Sequence, residues 1–184
     1  MQTELGHYYH CFNRGNNRQT LFYEKADYLY LIALLKRNSG RFNITVLAYC
    51  LMPNHYHLLL RQEGAVQVSR FIQSTFQSYS QTLNKKYNRT GRVYENPNPP
   101  KHVDDEAYLF QVIRYIHRNP LEAGLVNDLL SWSFSNYPEF TGHRKGNLYP
   151  AALIQEWFDT PEEYRRYVEE DFDNYDKIRY YLFE

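Results

Sequence analysis

The sequence predicts an α+β fold, an antiparallel sheet on the split βαβ plan followed by a helical C-terminal extension. Three observations carry that expectation. Patterned segments succeed one another as strand, helix, strand, strand, helix, strand; Pro53-Asn54 joins the two middle apolar runs into a hairpin; and 184 residues suit one core at ~100–200 residues per domain. Helices on one face of such a sheet leave its other face available for work.

Each element has its own warrant. Residues 7–14 (HYYHCFNR) are short and rich in aromatics, a strand that stops at the turn composition Gly15-Asn16-Asn17. Residues 24–38 place apolar groups at 28, 31, 32 and 35, the period of a helix, with its end expected at Ser39-Gly40. Residues 42–52 are β-branched and apolar, and 55–61 continue as the second arm of the hairpin. A long helix over about 66–87 follows, with apolar or aromatic residues at 68, 71, 72, 76, 79 and 83. Residues 91–94 are the candidate last strand, which completes a ferredoxin-like order. The proline-rich stretch 95–100 reads as a connector. A helix over about 104–118 opens on Asp-Asp-Glu, suited to a helix N-terminus, and is expected to stop before Pro120. Beyond it, 121–126 reads as a short helix, 131–137 as a loop holding Trp132, and 150–170 as two amphipathic helices split at Thr160-Pro161.

Composition narrows the class. Two cysteines, Cys11 and Cys50, cannot make a disulfide scaffold, so the expected compartment is a reducing cytoplasm. No apolar run approaches the ~18 residues of a membrane span, and residues 1–6 lack the basic and apolar regions of an export signal. The net charge of zero argues against nucleic acid until it is divided at Pro120. Residues 1–120 hold 15 Lys+Arg and 8 Asp+Glu, while 121–184 hold 6 and 13. A basic body carries an acidic tail, a pattern that hints at nucleic acid or an interacting tail. The run 162–176 is most simply a solvated face, though a segment 156–176 laid over a DNA groove would compete with phosphate. Of the 19 tyrosines, most suit half-buried rims; stacking on bases and nucleophilic attack are the sharper roles, and position alone separates them.

Two constellations stand out. In His55-Tyr56-His57 the two imidazoles share one face of a strand with Leu59, close enough to hold one metal ion, while Tyr56, Leu58 and Leu60 take the other face. Alone, such a pair is more often two ordinary histidines. Tyr115 and Asn119 lie one above the other on a helix, four residues apart. A carboxamide oxygen with imidazoles suits Mg²⁺ or Mn²⁺. The plain alternatives are a core aromatic beside Ile113 and Ile116, and a helix cap before proline. His7, His10, His102 and His117 read as ordinary side chains; His117 points about 160° from Tyr115 on the helix.

Three strings now carry a resemblance: NRGNNRQTLF at 13–22, AYCLMPNHYHLLL at 48–60 and RYIHRNPLEAGLV at 114–126. Together and in this order they resemble the REP-associated tyrosine transposases, a branch of the single-domain, insertion-sequence-type HUH (His-hydrophobic-His) transposases. The resemblance implies a ferredoxin-like catalytic domain over 1–137, with 138–184 as an acidic helical extension. It implies a metal-dependent single-strand DNA endonuclease and strand transferase that cuts near hairpins of the repeated-extragenic-palindrome kind, through a covalent 5′-phosphotyrosine. Tyr115 matches the family nucleophile, His55 and His57 the metal pair, and Asn119 the third ligand of Mg²⁺ or Mn²⁺. The segment 94–100 departs from the family's more basic, aromatic pattern, and so does the acidic tail.

The loop Asn13, Arg14, Gly15, Asn16, Asn17, Arg18 offers carboxamides and guanidinium groups for phosphates or base edges. Lys85, Lys86, Arg89 and Arg92 form a basic run expected to hold the DNA backbone. The protein is expected as a monomer or homodimer, without a membrane partner. The competing readings are a non-catalytic nucleic-acid-binding module on the same sheet and a metal hydrolase with a water nucleophile, which would leave Tyr115 unused.

Overall fold

The computed structural model describes residues 3–95, 98–146, 148, 150 and 154–170. Its chain order is β1 (Tyr8–Arg14), α1 (Lys25–Phe42), β2 (Ile44–Met52), β3 (His55–Gln62), α2 (Val68–Lys86), β4 (Lys101–Val103), α3 (Glu106–Glu122), α4 (Tyr137–Phe140) and α5 (Pro161–Glu169). The strands form an antiparallel sheet in the order β2-β3-β1-β4, the ferredoxin-like arrangement. Among the described residues no helix is long and apolar enough to cross a membrane.

Three elements differ from expectation, each for a local reason. Helix α1 opens on a capping box of Glu24 and Asp27 and runs through Gly40 to Asn43, whose φ of 52° turns the chain out of the helix. One exposed glycine costs only ~1 kcal/mol against alanine, too little to end a helix anchored by Leu31, Leu34 and Leu35. The last strand is not 91–94, where Gly91 has φ 87° and only Tyr94 makes an isolated bridge, to Gly15. It lies beyond the prolines, which have no N–H for a ladder, at β4 against Tyr8–His10. Helix α3 passes through Pro120 rather than stopping before it. Proline there forfeits one bond in the final turn, and the chain leaves through Gly124 at φ 65°, with Leu125 N–H donating to Pro120 O at 2.9 Å.

The sheet is covered on both faces, not one. Against the first face α1 and α2 bury Leu31, Leu35 and Phe71 on Leu51, Leu58 and Leu60. Against the second, α3 with α4 and α5 buries Ile113 and Ile116 on Cys50, Met52 and Leu59. The amphipathic α3 cannot leave that apolar stripe in water, so only the end of the face carrying polar side chains stays open to chemistry. A bulge between Val46 and Ala48 turns β2 over partway: Val46 faces the first core, and Leu47 and Ala48 both face the second. The outer edge of β2 is covered by 132–136, where Leu51 N–H donates to Phe134 O at 2.9 Å and the Asn136 amide bridges Tyr49 N–H (2.7 Å) and Leu47 O (2.8 Å).

The described part of the acidic tail is a strut. Helix α5 starts on Thr160, whose hydroxyl accepts from Glu163 N–H at 3.1 Å, and buries Tyr164 and Val168. Its terminal carbonyls accept from α3: Arg118 reaches Val168 O at 2.9 Å and Glu169 O at 3.3 Å, and Arg114 reaches Glu170 O. This docking uses Arg114, His117 and Arg118 of α3, and ahead of it Trp157 packs edge-on against Tyr8 and Phe110. Residues 171–176 lie outside the described residues.

Candidate active site

Register brings the site together. In the β1–β3 ladder Arg14 opposes His55, Phe12 opposes His57 and His10 opposes Leu59. His55 and His57 therefore share a face, with Leu59 following them and Tyr56, Leu58 and Leu60 in the opposite core, as the alternation requires. Helix α3 crosses this face. The His55 and His57 rings stand 5.2 Å apart, and the Tyr115 ring is edge-on to His57, also at 5.2 Å. Asn119 Oδ1 lies 3.0 Å from His55 Nε2. All four expected residues thus meet in one place, contributed by two elements.

The electrostatics favour neutral imidazoles. Burial lowers the pKa of His55, with a smaller push from Arg14, while the Asn119 bond acts the other way. His57 is fully buried, and desolvation with the neighbouring His10 and His55 holds its pKa well below the usual value. A neutral imidazole is the form that ligates a metal. Asn54 Oδ1 lies 2.8 Å from His55 Nδ1 and Asn119 Oδ1 3.0 Å from His55 Nε2. A neutral ring has one proton for these two oxygens, so one of them faces a lone pair; a cation between Nε2 and the Asn119 oxygen, 3.0 Å apart, would relieve that repulsion while Asn54 accepts from Nδ1. That spacing also matches neighbouring ligands around an octahedral ion with bonds of about 2.1 Å, which stand about 3.0 Å apart. The donor set therefore fits Mg²⁺ or Mn²⁺. Among the described residues no group of three or more His, Cys, Asp or Glu side chains could hold a metal ion; beside the His pair the Asn119 amide offers an oxygen.

The expected DNA-contacting residues divide into two groups. The loop adjoins the His pair: Gly15 N–H donates to Asn54 O at 2.8 Å, and Asn16 N–H to Val93 O at 2.9 Å. Asn17 and Arg18 are exposed at positive φ, and Lys85 and Arg92 are exposed as well. Asn13 is buried and accepts from Arg14 N–H at 2.7 Å. Arg14 pairs with Glu95 at 3.1 Å, Lys86 with Asp27 at 2.5 Å and Glu24 at 2.6 Å, and Arg89 with Tyr23 Oη at 2.7 Å and with Gln19. Those three cations hold loop and helix ends together.

Sequence reasoning missed two neighbours. His10 Nε2 lies 3.1 Å from His57 Nδ1, and Asn54 orients His55. Asn54 was readable as a polar residue directly before the His pair; His10 has no signal until the strands are paired. A cavity of about 820 Å³ opens on the other face of the sheet, between β1 and α2, lined by Tyr56, Phe76, Tyr94 and the amides of Asn13, Gln73 and Gln77. It includes none of the four residues above.

A family model described as "Transposase IS200 like" matches residues 3–119. No curated protein matches the chain. Among solved structures it resembles a REP-associated tyrosine transposase bound to a REP hairpin, with a TM-score of 0.65 and 15% identity over 80% of this chain and 90% of that one.

Proposed function

This chain belongs to the IS200-like transposase family, enzymes that cut and join DNA, and on that premise we propose that it nicks and rejoins single-stranded DNA at a hairpin, through Tyr115. The observation that carries the reading is the meeting of Tyr115 with His57 at 5.2 Å and of Asn119 with His55 at 3.0 Å, one helical turn apart on α3. The REP hairpin in the solved relative supports a hairpin-bearing strand as the substrate. Residues 1–137 would form the catalytic unit and 138–184 the acidic extension, acting in the cytoplasm as a monomer or homodimer.

His55, His57 and Asn119 would hold a divalent ion, Mg²⁺ or Mn²⁺, whose chemistry there is charge neutralisation at the non-bridging phosphate oxygens. Tyr115 Oη attacks phosphorus; the new O–P bond forms as the bond to the 3′ oxygen breaks. The phenolic proton leaves to solvent and the departing 3′ oxygen takes one up, giving a 5′-phosphotyrosine and a free 3′-OH. Bond energy is conserved in the phosphotyrosine, so attack by a 3′-OH rejoins the strand without an external energy source. A phenol with an ordinary pKa of ~10 is mostly protonated at neutral pH, so its proton must leave as the O–P bond forms; the place of Tyr115 on α3, packed against the second core, would lower the entropic cost of that step by fixing the ring's orientation. Arg18, Lys85 and Arg92, exposed near this end, would hold the backbone on either side.

The test is a labelled single strand bearing a hairpin, incubated with Mn²⁺ and resolved on a denaturing gel. A covalent protein–DNA adduct that disappears in Tyr115→Phe is the expected result. Cleavage surviving Tyr115→Phe means a water nucleophile, and binding without cleavage means a non-catalytic module.

A further inference from the structure

We propose that His10 is a positioning residue that fixes the tautomer of His57, a role that rests on the metal-holding function proposed above. His10 lies on β1 diagonal to His57, opposing Leu59 while His57 opposes Phe12, and the two side chains are each 0% exposed. Their rings stack at 5.2 Å with an interplanar angle of 21°, and His10 Nε2 lies 3.1 Å from His57 Nδ1. One proton occupies that bond, and its owner decides what His57 can do. If His57 Nδ1–H donates to His10 Nε2, the lone pair of His57 is on Nε2, available to a metal, and His10 carries its own proton on Nδ1. If His10 Nε2–H donates instead, His57 holds a proton on Nε2 and cannot ligate. Protonating both rings would place two charges in one dry pocket, which desolvation forbids.

The first arrangement is the one compatible with His57 as a ligand. It makes His10 the counterpart of Asn54, whose Oδ1 lies 2.8 Å from Nδ1 of the neighbouring His55 and accepts from it when Nε2 is left for the metal. Both members of the metal pair are thus held by an acceptor on Nδ1, so both present Nε2. A carboxamide holds the more exposed histidine and an imidazole the fully buried one.

Two measurements on the full chain test this. In the metal-free, uniformly ¹⁵N-labelled protein, long-range ¹H–¹⁵N correlation spectra distinguish the two tautomers; His57 is expected with protonated Nδ1 and unprotonated Nε2. A His57 found protonated on Nε2 overturns the proposal. Mn²⁺ affinity by titration calorimetry is the second readout. His10→Phe, which keeps a ring but removes the acceptor, is expected to weaken Mn²⁺ binding about 10–100-fold. His10→Gln, whose terminal oxygen reaches about the place of Nε2, is expected to restore most of it. Equal Mn²⁺ affinity in wild type and His10→Phe overturns the role of His10 and leaves the proposed function standing. A wild type that takes up no Mn²⁺ sinks the metal assignment instead, and the two failures remain distinguishable. Should His10→Phe not fold, the wild-type spectrum and the His10→Gln titration still decide.

Discussion

The two long faces of helix α3 each meet buried histidine and use it differently. Toward the sheet, Tyr115 and Asn119 meet His57 and His55, where polar atoms converge on one another and a lone pair faces an amide oxygen. Away from it, His117 is also fully buried, but its ring nitrogens meet complementary neutral partners. Asn136 Oδ1 lies 2.9 Å from Nε2, and the Tyr164 hydroxyl bonds Nδ1. Because the Asn136 amide already donates to Leu47 O and accepts from Tyr49 N–H, its oxygen accepts from His117 Nε2–H and Tyr164 donates to Nδ1. Burial lowers both histidines' pKa values, His117 to about 4. Burial and a shifted pKa therefore do not mark a site by themselves; what separates the faces is what the buried rings meet, a neutral amide and a hydroxyl around His117, but further imidazoles and the Tyr115 ring around His57.

The largest effect should fall on the sheet-facing side. Tyr115→Phe removes one oxygen from a packed ring, so the covalent adduct should vanish while the melting temperature moves by no more than about 3 °C. A large loss of stability would make Tyr115 a structural residue and erase the contrast.

His117→Phe should do the reverse. It strands the Tyr164 hydroxyl in the second core, so unfolding should become easier by about 2–4 kcal/mol, a fall of roughly 5–15 °C, with adduct formation retained at low temperature. The wild-type pH profile gives an independent check. A folded-state pKa near 4 against about 6.5 unfolded means that the unfolded chain binds the proton first as pH falls. Stability from this group is therefore complete above pH ~6.5 and is lost between ~6.5 and ~4, on the order of 3 kcal/mol. A denaturation series in which His117→Phe keeps the full wild-type slope across that window would rule this out.

A smaller change is expected from the strut. Arg118→Ala removes the guanidinium that binds the last carbonyls of α5, and chemical denaturation should register about 1–3 kcal/mol with the α5 end becoming protease-sensitive. The smallest concerns the open rim. Arg18→Ala and Lys85→Ala should each reduce the log–log salt slope of hairpin binding by about one, whereas Lys86→Ala, whose ammonium is tied to Asp27 and Glu24, should lower stability and leave the slope alone. Identical slopes for all three would show that exposure does not select the DNA contacts.

Much of this was legible before the chain was folded. Alternation put His55 and His57 on one face, and the four-residue spacing put Tyr115 beside Asn119, because both periods are local properties of backbone geometry. The helix through Gly40 and Pro120 was not legible, since tertiary packing outweighs a single poor helix residue. Nor was β4, a three-residue strand whose only warrant is its partner, or the covering of the second face, which depends on where α3 lands. His10 and His57 are 47 residues apart in sequence, and nothing local links them until β1 and β3 are in register.

The bulge in β2 has a consequence for the parity of that strand. Even-numbered residues point one way before it and the other way after it: Ile44 and Val46 belong to the first core, Ala48, Cys50 and Met52 to the second. Cys50 and Met52 are the cross-strand partners of His57 and His55, so these neighbours of the site share a numbering parity with Ile44 and Val46 but lie on the opposite face, because one surplus residue separates them. Deleting Leu47 would take away the surplus itself: Val46 and Ala48, already opposite Leu60 and Leu59, would follow one another in unbroken alternation, so both halves of β2 would keep their faces and only the local bend would be lost.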